Sequence, residues 1–429
     1  MTRPLAPPSA SEPAEQLRAT LEPVLGPVTV DGLRRLSGGA SRETWAFSVD
    51  GDELILRRDP PGRPGIAGSM RLEADSMRAC HRAGLPVPEV LVDDDGTRLG
   101  TAGLVMTAVP GETLARRILR DDAYAAARAG LLVELAAFLA GLHALDPAEV
   151  PGLHEVDSMA QYWASYQVVD DVSPTFEKAY AWLAANRPAR TATTIVHGDL
   201  RMGNVIVGTD GLHAVIDWEL VHAGDPLEDL GWLCVKAWRF GEPLEVGGLG
   251  TIDELVDAYE RAGGRPVDRD ALHWWLVQKT LQWGIGCMGQ AHVHLSGAVR
   301  SHELAAIGRR VAEQEWDLVE LLAPDEWAAA RAEPPPAPLP DLAGLHGRPT
   351  ARELLDAVRG YLTEDVMPNT TGQLSFHARV AANMLAIVER ELAQPPREHR
   401  GDDDGDDWAS LAGAVRDKLA VANPKHLAR

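Results

Sequence analysis

The sequence predicts an α+β chain: a small antiparallel sheet plus helix, then a larger mainly helical region, then a small all-α domain at the end. Three observations predict it. Strand-like runs crowd residues 28–58. Ala-, Leu- and Glu-rich stretches with helical spacing fill residues 121–145 and most of 251–330. A Pro-rich run, RAEPPPAPLPDLAG at 331–344, then separates a last helical block.

Residues 1–15 are mostly Pro, Ser and Ala with little to bury, and are expected to form a disordered tail. In the sheet-and-helix region, 16–108, the strands are VTVDGLRRL, ETWAFSV and ELILRR, the last two joined by Asp50-Gly51-Asp52, a hairpin-turn composition. Residues 69–82 turn helical and stop at Gly84, with Pro86 and Pro88 just beyond. GLVMTA, 103–108, is another strand, broken by Pro110-Gly111. The mainly helical region runs over 109–328, the linker over 329–349, and a helical C-terminal domain over 350–429. The stretch GDDDGDD, at 401–407, is too charged to pack and forms an acidic tail.

Length and composition narrow the function. A chain of 429 residues, 45% hydrophobic, can bury at least one sizeable core, and two or three structural units are expected. Acidic side chains outnumber basic ones, 63 to 41. The formal charge of -22 repels phosphate backbones and anionic lipid, so neither a nucleic-acid nor a membrane partner is expected. Cys80, Cys234 and Cys287 are far apart and lack CxxC spacing, which suits small core residues in a reducing compartment. The N-terminus shows no apolar leader segment, and no run of about 18 apolar residues is evident, so a cytoplasmic location is expected.

Chemistry concentrates in VHGDLRMGNVIV, 196–207, and IDWEL, 216–220. Asp199 lies five positions before Asn204, and Asp217 lies thirteen beyond it, with TIV, VIV and AVI as strand-like anchors. Phosphoryl transfer from ATP needs one carboxylate to accept the proton of an attacking hydroxyl. It also needs an amide and a second carboxylate to hold Mg²⁺ through hard oxygens. Asp199 suits the first role, and Asn204 and Asp217 the second. Plain turn chemistry uses the same residue types, but three independent turn residues need not recur at these offsets. His197 reads as a brace for the loop rather than a proton carrier.

His197-Gly198-Asp199 with Asn204, followed by Ile216-Asp217-Trp218-Glu219, resembles the catalytic and metal motifs of the aminoglycoside phosphotransferase family, over roughly residues 28–325. The resemblance implies a bilobal protein-kinase-like fold, with residues 16–108 as the N-lobe and 109–328 as the C-lobe. It also implies ATP and Mg²⁺ as cofactors and a hydroxyl-bearing small molecule as substrate. Asp199 and His197 take the catalytic positions, Asn204 and Asp217 the metal positions.

In RLSGGASRETW, Gly38 and Gly39 sit between two strands, where the backbone can approach a triphosphate, although a plain strand connection uses the same residues. The family resemblance further implies a cation on the third strand paired with a helix carboxylate. LILRRD offers Arg57 or Arg58, with Arg57 favoured because it directly follows the apolar run, and the next helix offers Glu73. Arg in place of Lys is a departure, since a planar fork is not geometrically equivalent to an ammonium. Met106 resembles the residue bordering the adenine pocket, with the backbone of Thr107 to Val109 reading the base edge. A buried strand Met is the plain alternative. Asp225 and Asp229, in GDPLEDLGW, are expected to fix loops and cap the next helix.

Residues 284–310 are locally basic, with Arg300, Arg309 and Arg310 near His292, His294 and His302. That stretch suits a carboxylate, phosphate or coenzyme A group, with Trp274, Trp275 and Trp283 as a stacking wall. The plain alternative is core Trp and a complemented helix dipole. Aminoglycosides, being polycations, call for a carboxylate-lined site and are expected to be poor acceptors. The chain resembles the branch of the family related to kinase domains fused to acyl-CoA dehydrogenases, which implies phosphorylation of a hydroxy acid or hydroxyacyl thioester. The C-terminal helices point to an oligomer contact or protein partner. Two alternatives stay open: an aminoglycoside O-phosphotransferase, and a non-catalytic nucleotide-binding scaffold acting through those helices.

Overall fold

The structure is a computed structural model that describes residues 11–36, 42–60, 70–169, 171–334, 337–339, 348–394 and 407–427. The chain forms two compact units. Residues 1–156 and 189–272 make the first; residues 157–188 and 273–429 make the second.

The first unit opens with α1 (Ser11–Leu25), β1 (Val30–Arg35), β2 (Glu43–Val49), β3 (Asp52–Arg58), α2 (Met70–Arg82), β4 (Val90–Asp95) and β5 (Ala102–Thr107). The strands form one antiparallel sheet in the order β1-β2-β3-β5-β4. Asp50 and Gly51 turn β2 into β3 with φ of 52° and 102°, the paired left-handed residues a two-residue hairpin needs. The period of two then sorts the adjacent arginines of β3. Arg58 is buried on the face of Leu54 and Leu56, whereas Arg57 shares the opposite face with Ile55.

α1 corrects the expectation of a tail over 1–15, because its first five residues belong to a helix. Leu17 and Leu21, one helical turn apart, are fully buried against Phe47, Leu54, Leu56 and Val105, so this helix covers one face of the sheet.

The chain continues through α3 (Ala115–Arg120) and α4 (Ala125–Ala144), then leaves this unit for α5 (Ser158–Tyr166) and α6 (Pro174–Ala185). It returns with β6 (Thr194–Val196), β7 (Val205–Val207), β8 (Leu212–Val215), β9 (His222–Gly224), α7 (Leu227–Cys234) and α8 (Ile252–Arg261). β6 pairs with β9 and β7 with β8, giving two short antiparallel ribbons that carry the motif residues. By length and hydropathy alone, residues 122–144 would suffice to cross a membrane, which the sequence reading missed. Here α4 is a core helix: Leu131, Leu135, Phe138, Leu139 and Leu142 are buried, and it packs against α8 and β6.

The second unit contains α5, α6, most of α9 (Arg269–Leu295), α10 (His302–Gly308), α11 (Val311–Leu322), α12 (Pro324–Ala332), α13 (Ala351–Gly360), α14 (Gly372–Ala393), α15 (Trp408–Ala422) and α16 (Pro424–Leu427). Its packing departs from the boundary expected between 328 and 350. Ala412, Val415 and Leu419 of α15 complete a core with Ala312, Trp316 and Val319 of α11 and Ala330 of α12. Polar contacts reinforce that core. Asn423 Nδ2 donates to Glu313 (2.9 Å), Lys418 Nζ to Glu315 (2.9 Å) and His426 Nε2 to Asp317 (2.7 Å), each acceptor being a buried α11 carboxylate. α11 is therefore finished by α15 and α16, which share its core across the expected boundary. Of the expected acidic tail, 401–406 lies outside the described residues. Asp407 instead caps α15, accepting from the Ser410 amide.

Candidate functional site

The loop between β6 and β7 is anchored from below by one buried carboxylate. Asp229, fully buried in α7, accepts the amide N–H groups of His197 (2.8 Å) and Gly198 (2.9 Å) and faces His143 Nε2 at 3.2 Å. Burial works against its charge, but His143 and these donors outweigh it and hold the carboxyl below its usual range. Asp229 thus fixes a loop, as expected. Asp225 accepts from the Leu227 amide at the start of α7 and from Thr191, although the helix has no side-chain N-cap. Gly198 has a φ of 82°, and a Cβ there would lie 2.6 Å from the Leu220 carbonyl oxygen, so only glycine fits.

His197 spans two backbones. Its Nδ1 accepts the Asp199 N–H at 3.2 Å, which leaves Nε2 to donate to the Ile216 carbonyl, also at 3.2 Å. Complete burial lowers the pKa and keeps the ring neutral. With both nitrogens engaged by main chain, His197 positions Asp199 and Asp217 relative to one another. That geometry is a brace of the loop, with no ring nitrogen left over to carry a proton.

Asp199 is 8% exposed, and its carboxylate accepts on both oxygens. Trp232 Nε1 (2.8 Å) and Arg201 Nε (3.1 Å) donate to Oδ1, and Asn204 Nδ2 (2.6 Å) donates to Oδ2. Burial nevertheless dominates and raises its pKa to about 6, with Asp217 contributing in the same direction. Asn204 Nδ2 also donates to the Asp199 carbonyl at 2.9 Å, which leaves the amide oxygen as its outward acceptor. The Ile216 N–H donates to the Asn204 carbonyl at 3.0 Å, so the residue before Asp217 is stitched to Asn204.

Asp217 sits at φ 70°, a left-handed conformation uncommon outside glycine that marks a position held by its surroundings. Arg57 Nη2 donates to its Oδ1 at 2.6 Å, while Arg57 Nη1 reaches Glu73 Oε2 at 3.4 Å. Burial disfavours the Asp217 charge, but Arg57 overrides it and holds the carboxyl below its usual range. One guanidinium thus joins α2 to the β8–β9 turn. Arg58 takes no part: it pairs with Glu43 and lies over the Trp45 ring. Of the two arginines, Arg57 is the one that reaches the α2 carboxylate and Asp217.

The structure adds three residues to those expected. Arg42, buried at 5% exposure, pairs with Glu73 and with Asp59 (3.3 Å), so Glu73 is shared by two guanidinium groups. Trp232 and Arg201 bind Asp199, and Arg201 lies over the Trp238 ring at 4.7 Å. Arg201 stands inside VHGDLRMGNVIV, two positions after Asp199. Trp232 carried no local signal.

Other expected residues fare differently. Gly38 and Gly39 lie outside the described residues. Met106 is buried in β5, paired with Ile55 and Val90. The Thr107 N–H donates to Glu89 and that of Ala108 to Glu53, so of the stretch Thr107 to Val109 two amides are committed to the fold. Arg309 pairs with Glu391 at 2.6 Å, and Arg310 pairs with Glu313 and stacks over Trp283. Two of the three expected anion-binding cations therefore have carboxylate partners, and Arg300 is exposed. Trp274 and Trp275 are core residues. All three cysteines are free and buried, with thiols pushed by burial to about 12.

Residues 32–275 match the model of the phosphotransferase enzyme family, and residues 368–405 match a domain of unknown function. The chain is 27% identical over 325 residues to acyl-CoA dehydrogenase family member 11 of Gallus gallus, covering 68% of this chain and 40% of that protein. It is 28% identical over 243 residues to family member 10 of Mus musculus, covering 52% of this chain and 22% of that protein. The chain thus spans less than half the length of these relatives. Aminoglycoside 3'-phosphotransferase of Streptomyces fradiae is 30% identical over 236 residues, covering 52% of this chain and 83% of that enzyme. A crystal structure from Ralstonia eutropha, assigned by its description to the aminoglycoside phosphotransferases, shares the fold. Its TM-score is 0.58 at 22% identity, covering 71% of this chain and 97% of that one. With the matched segment taking in Arg57, Glu73, Asp199, Asn204 and Asp217 and more than half of the sequence, the chain belongs to the phosphotransferase enzyme family.

Proposed function

We propose that the protein is an Mg-ATP-dependent kinase that transfers the γ-phosphate to a hydroxyl of a small molecule. The observation that carries this reading is the linkage of Asp199, Asn204 and Asp217 through main-chain and side-chain hydrogen bonds, with Arg57 reaching Asp217 from the sheet. Asp199 is the base. A carboxyl near pKa 6 is ionised at neutral pH yet basic enough to take a proton from an aligned hydroxyl. Trp232, Arg201 and Asn204 fix its direction.

The donor set fits magnesium. Asn204 presents an amide oxygen and Asp217 an ionised carboxylate, both hard oxygen ligands, and Asn204 and Asp217 would hold the ion. When bound, magnesium neutralises charge on the phosphate oxygens during transfer. Arg57 orients the nucleotide phosphates, and Glu73, shared with Arg42, keeps its fork aimed. With the Thr107 and Ala108 amides committed, Val109 is the position whose backbone reads the base.

For the acceptor we propose a hydroxy acid or hydroxyacyl thioester, supported by the likeness to acyl-CoA dehydrogenase family members. The paired Arg309 and Arg310 lend this no support. Likeness to an aminoglycoside 3'-phosphotransferase makes those drugs the comparison class. Hydroxy acids, hydroxyacyl-CoA thioesters and aminoglycosides would be screened for acceptor-dependent ADP release. Turnover with an acid or thioester should fall about 10²–10⁴-fold in Asp199→Ala, the usual contribution of a general base. Asp217→Ala should also abolish it. Magnesium-dependent nucleotide binding without turnover on any acceptor would instead mark a scaffold, and drug-dependent turnover would overturn the acceptor assignment.

A further inference from the structure

Outside this cluster, His302 and Glu303 at the start of α10 meet His377 in the second turn of α14, bringing two imidazoles and a carboxylate together across a long stretch of sequence. The three ligand atoms lie within 4.8 Å of one another, and all three residues are half-buried. His377 Nε2 is 2.7 Å from Glu303 Oε1, and the imidazole rings of His302 and His377 meet edge to face with centroids 4.5 Å apart.

A simple Glu303–His377 ion pair would account for part of this arrangement, but it leaves the polar atoms poorly served. The Nε2 atoms of His302 and His377 are both shielded from solvent, and neither has an aligned hydrogen bond among the described residues. A shielded imidazole nitrogen without a donor or acceptor is costly, and two of them facing one carboxylate want a shared cation.

We infer that His302, Glu303 and His377 form a binding site for a first-row divalent transition metal of the zinc class, tying α10 to α14. Zinc takes imidazole nitrogen at about 2.0–2.1 Å and carboxylate oxygen at about 2.0–2.2 Å, so its ligands stand roughly 3.3 Å apart in a tetrahedron. Mixed nitrogen and oxygen ligation excludes magnesium as the preferred ion, which separates this site chemically from Asn204 and Asp217. Water completes the fourth position. Arg309, just past the end of α10, pairs with Glu391 further down α14, so the same two segments are also joined away from the metal ligands.

The test uses the full-length chain stripped of metal and titrated with Co²⁺, a coloured stand-in for zinc. One equivalent should produce the strong visible absorption of a tetrahedral cobalt site, Zn²⁺ should bleach it, and excess Mg²⁺ should not. His302→Ala and His377→Ala should each weaken cobalt affinity by at least roughly a hundredfold, the upper end of what losing a mere supporting partner costs. Asp217→Asn should leave it unchanged. Circular dichroism of the metal-free variants separates ligand loss from misfolding, and Glu303→Gln, a nearly isosteric change, gives a second ligand variant should either His variant unfold. No tetrahedral absorption in the wild-type protein, or an unchanged spectrum in folded His377→Ala or Glu303→Gln, overturns the assignment.

Discussion

The indole N–H of Trp232 donates to Oδ1 of Asp199 over 2.8 Å, linking the second turn of α7 to the carboxylate between β6 and β7. The first turn of α7 carries Asp229, which holds the backbone of His197 and Gly198. One short helix therefore sets both the position of the loop and the direction of its carboxylate.

Trp232→Phe removes the donor while keeping most of the apolar volume. A charged acceptor that loses one partner inside the protein is destabilised in its ionised form, so the Asp199 pKa should rise from about 6. Since the base works ionised, the wild-type rate should climb as pH increases through about 6 and then level off. The variant's climb should move to higher pH, with kcat at neutral pH roughly tenfold lower. A pH–rate profile of both proteins measures this. An unmoved acidic limb would show that the profile belongs to another group.

Asp199 should also cost the fold stability. Its native carboxyl keeps a proton to about pH 6, whereas the unfolded chain loses it near 3.8, so the native state binds more protons over that interval. The ionised native form is disfavoured above about pH 6, the penalty shrinks as pH falls, and it is gone below about pH 4. A shift of this size corresponds to about 3 kcal/mol at full ionisation. Asp199→Asn should therefore be inactive yet more stable at pH 7.5, by about 1–3 kcal/mol once the altered contact with Asn204 is counted. Urea denaturation at pH 7.5 and pH 4.5 checks this, with the gain expected to diminish at the lower pH.

Arg57 and Glu73 show what was readable in the sequence. The family resemblance implies a third-strand cation paired with a helix carboxylate, and the end of the apolar run in LILRRD together with the helix after β3 points to Arg57 and Glu73. The strand period that puts Arg57 and Arg58 on opposite faces gives the physical reason. The motif residues were legible because phosphoryl transfer restricts residue type and spacing together. Trp232, Arg42 and the double anchoring by Asp229 were not, because each acts through a contact distant in sequence that no local period encodes. α1 was hidden by Pro-rich composition, although Leu17 and Leu21 at helical spacing were its signal. The C-terminal boundary misled for the opposite reason: a Pro-rich run breaks a helix but does not prevent the chain returning to finish the same core.

Arg57→Ala should uncouple nucleotide handling from folding. Glu73 retains Arg42, so α2 keeps a buried partner and the melting temperature should change little. Asp217 loses the cation that holds its pKa down, and the phosphates lose a fork. A charge-assisted contact is worth about 1.5–3 kcal/mol, which predicts a loss of roughly 10–150-fold in kcat/KM for ATP. Arg57→Lys should recover only part of it, since an ammonium cannot grip Glu73 and Asp217 together. Steady-state kinetics at varied ATP provides the measurement.

Leu419→Ala tests whether the C-terminal helices complete the second unit. Leu419 is fully buried against the face of α11 that carries Trp316 and Val319, and neighbouring Lys418 binds Glu315 from the same turn. Truncation leaves a cavity in a core with little freedom to collapse, because Asn423 and His426 pin the chain just beyond it to Glu313 and Asp317. The expected cost is about 2–5 kcal/mol. If residues 350–429 were an independent domain, calorimetry would show an early transition for that segment and an unchanged main one. The shared core predicts instead that α11 and α15 melt together, with amide exchange accelerating in 311–322 as much as in 408–422.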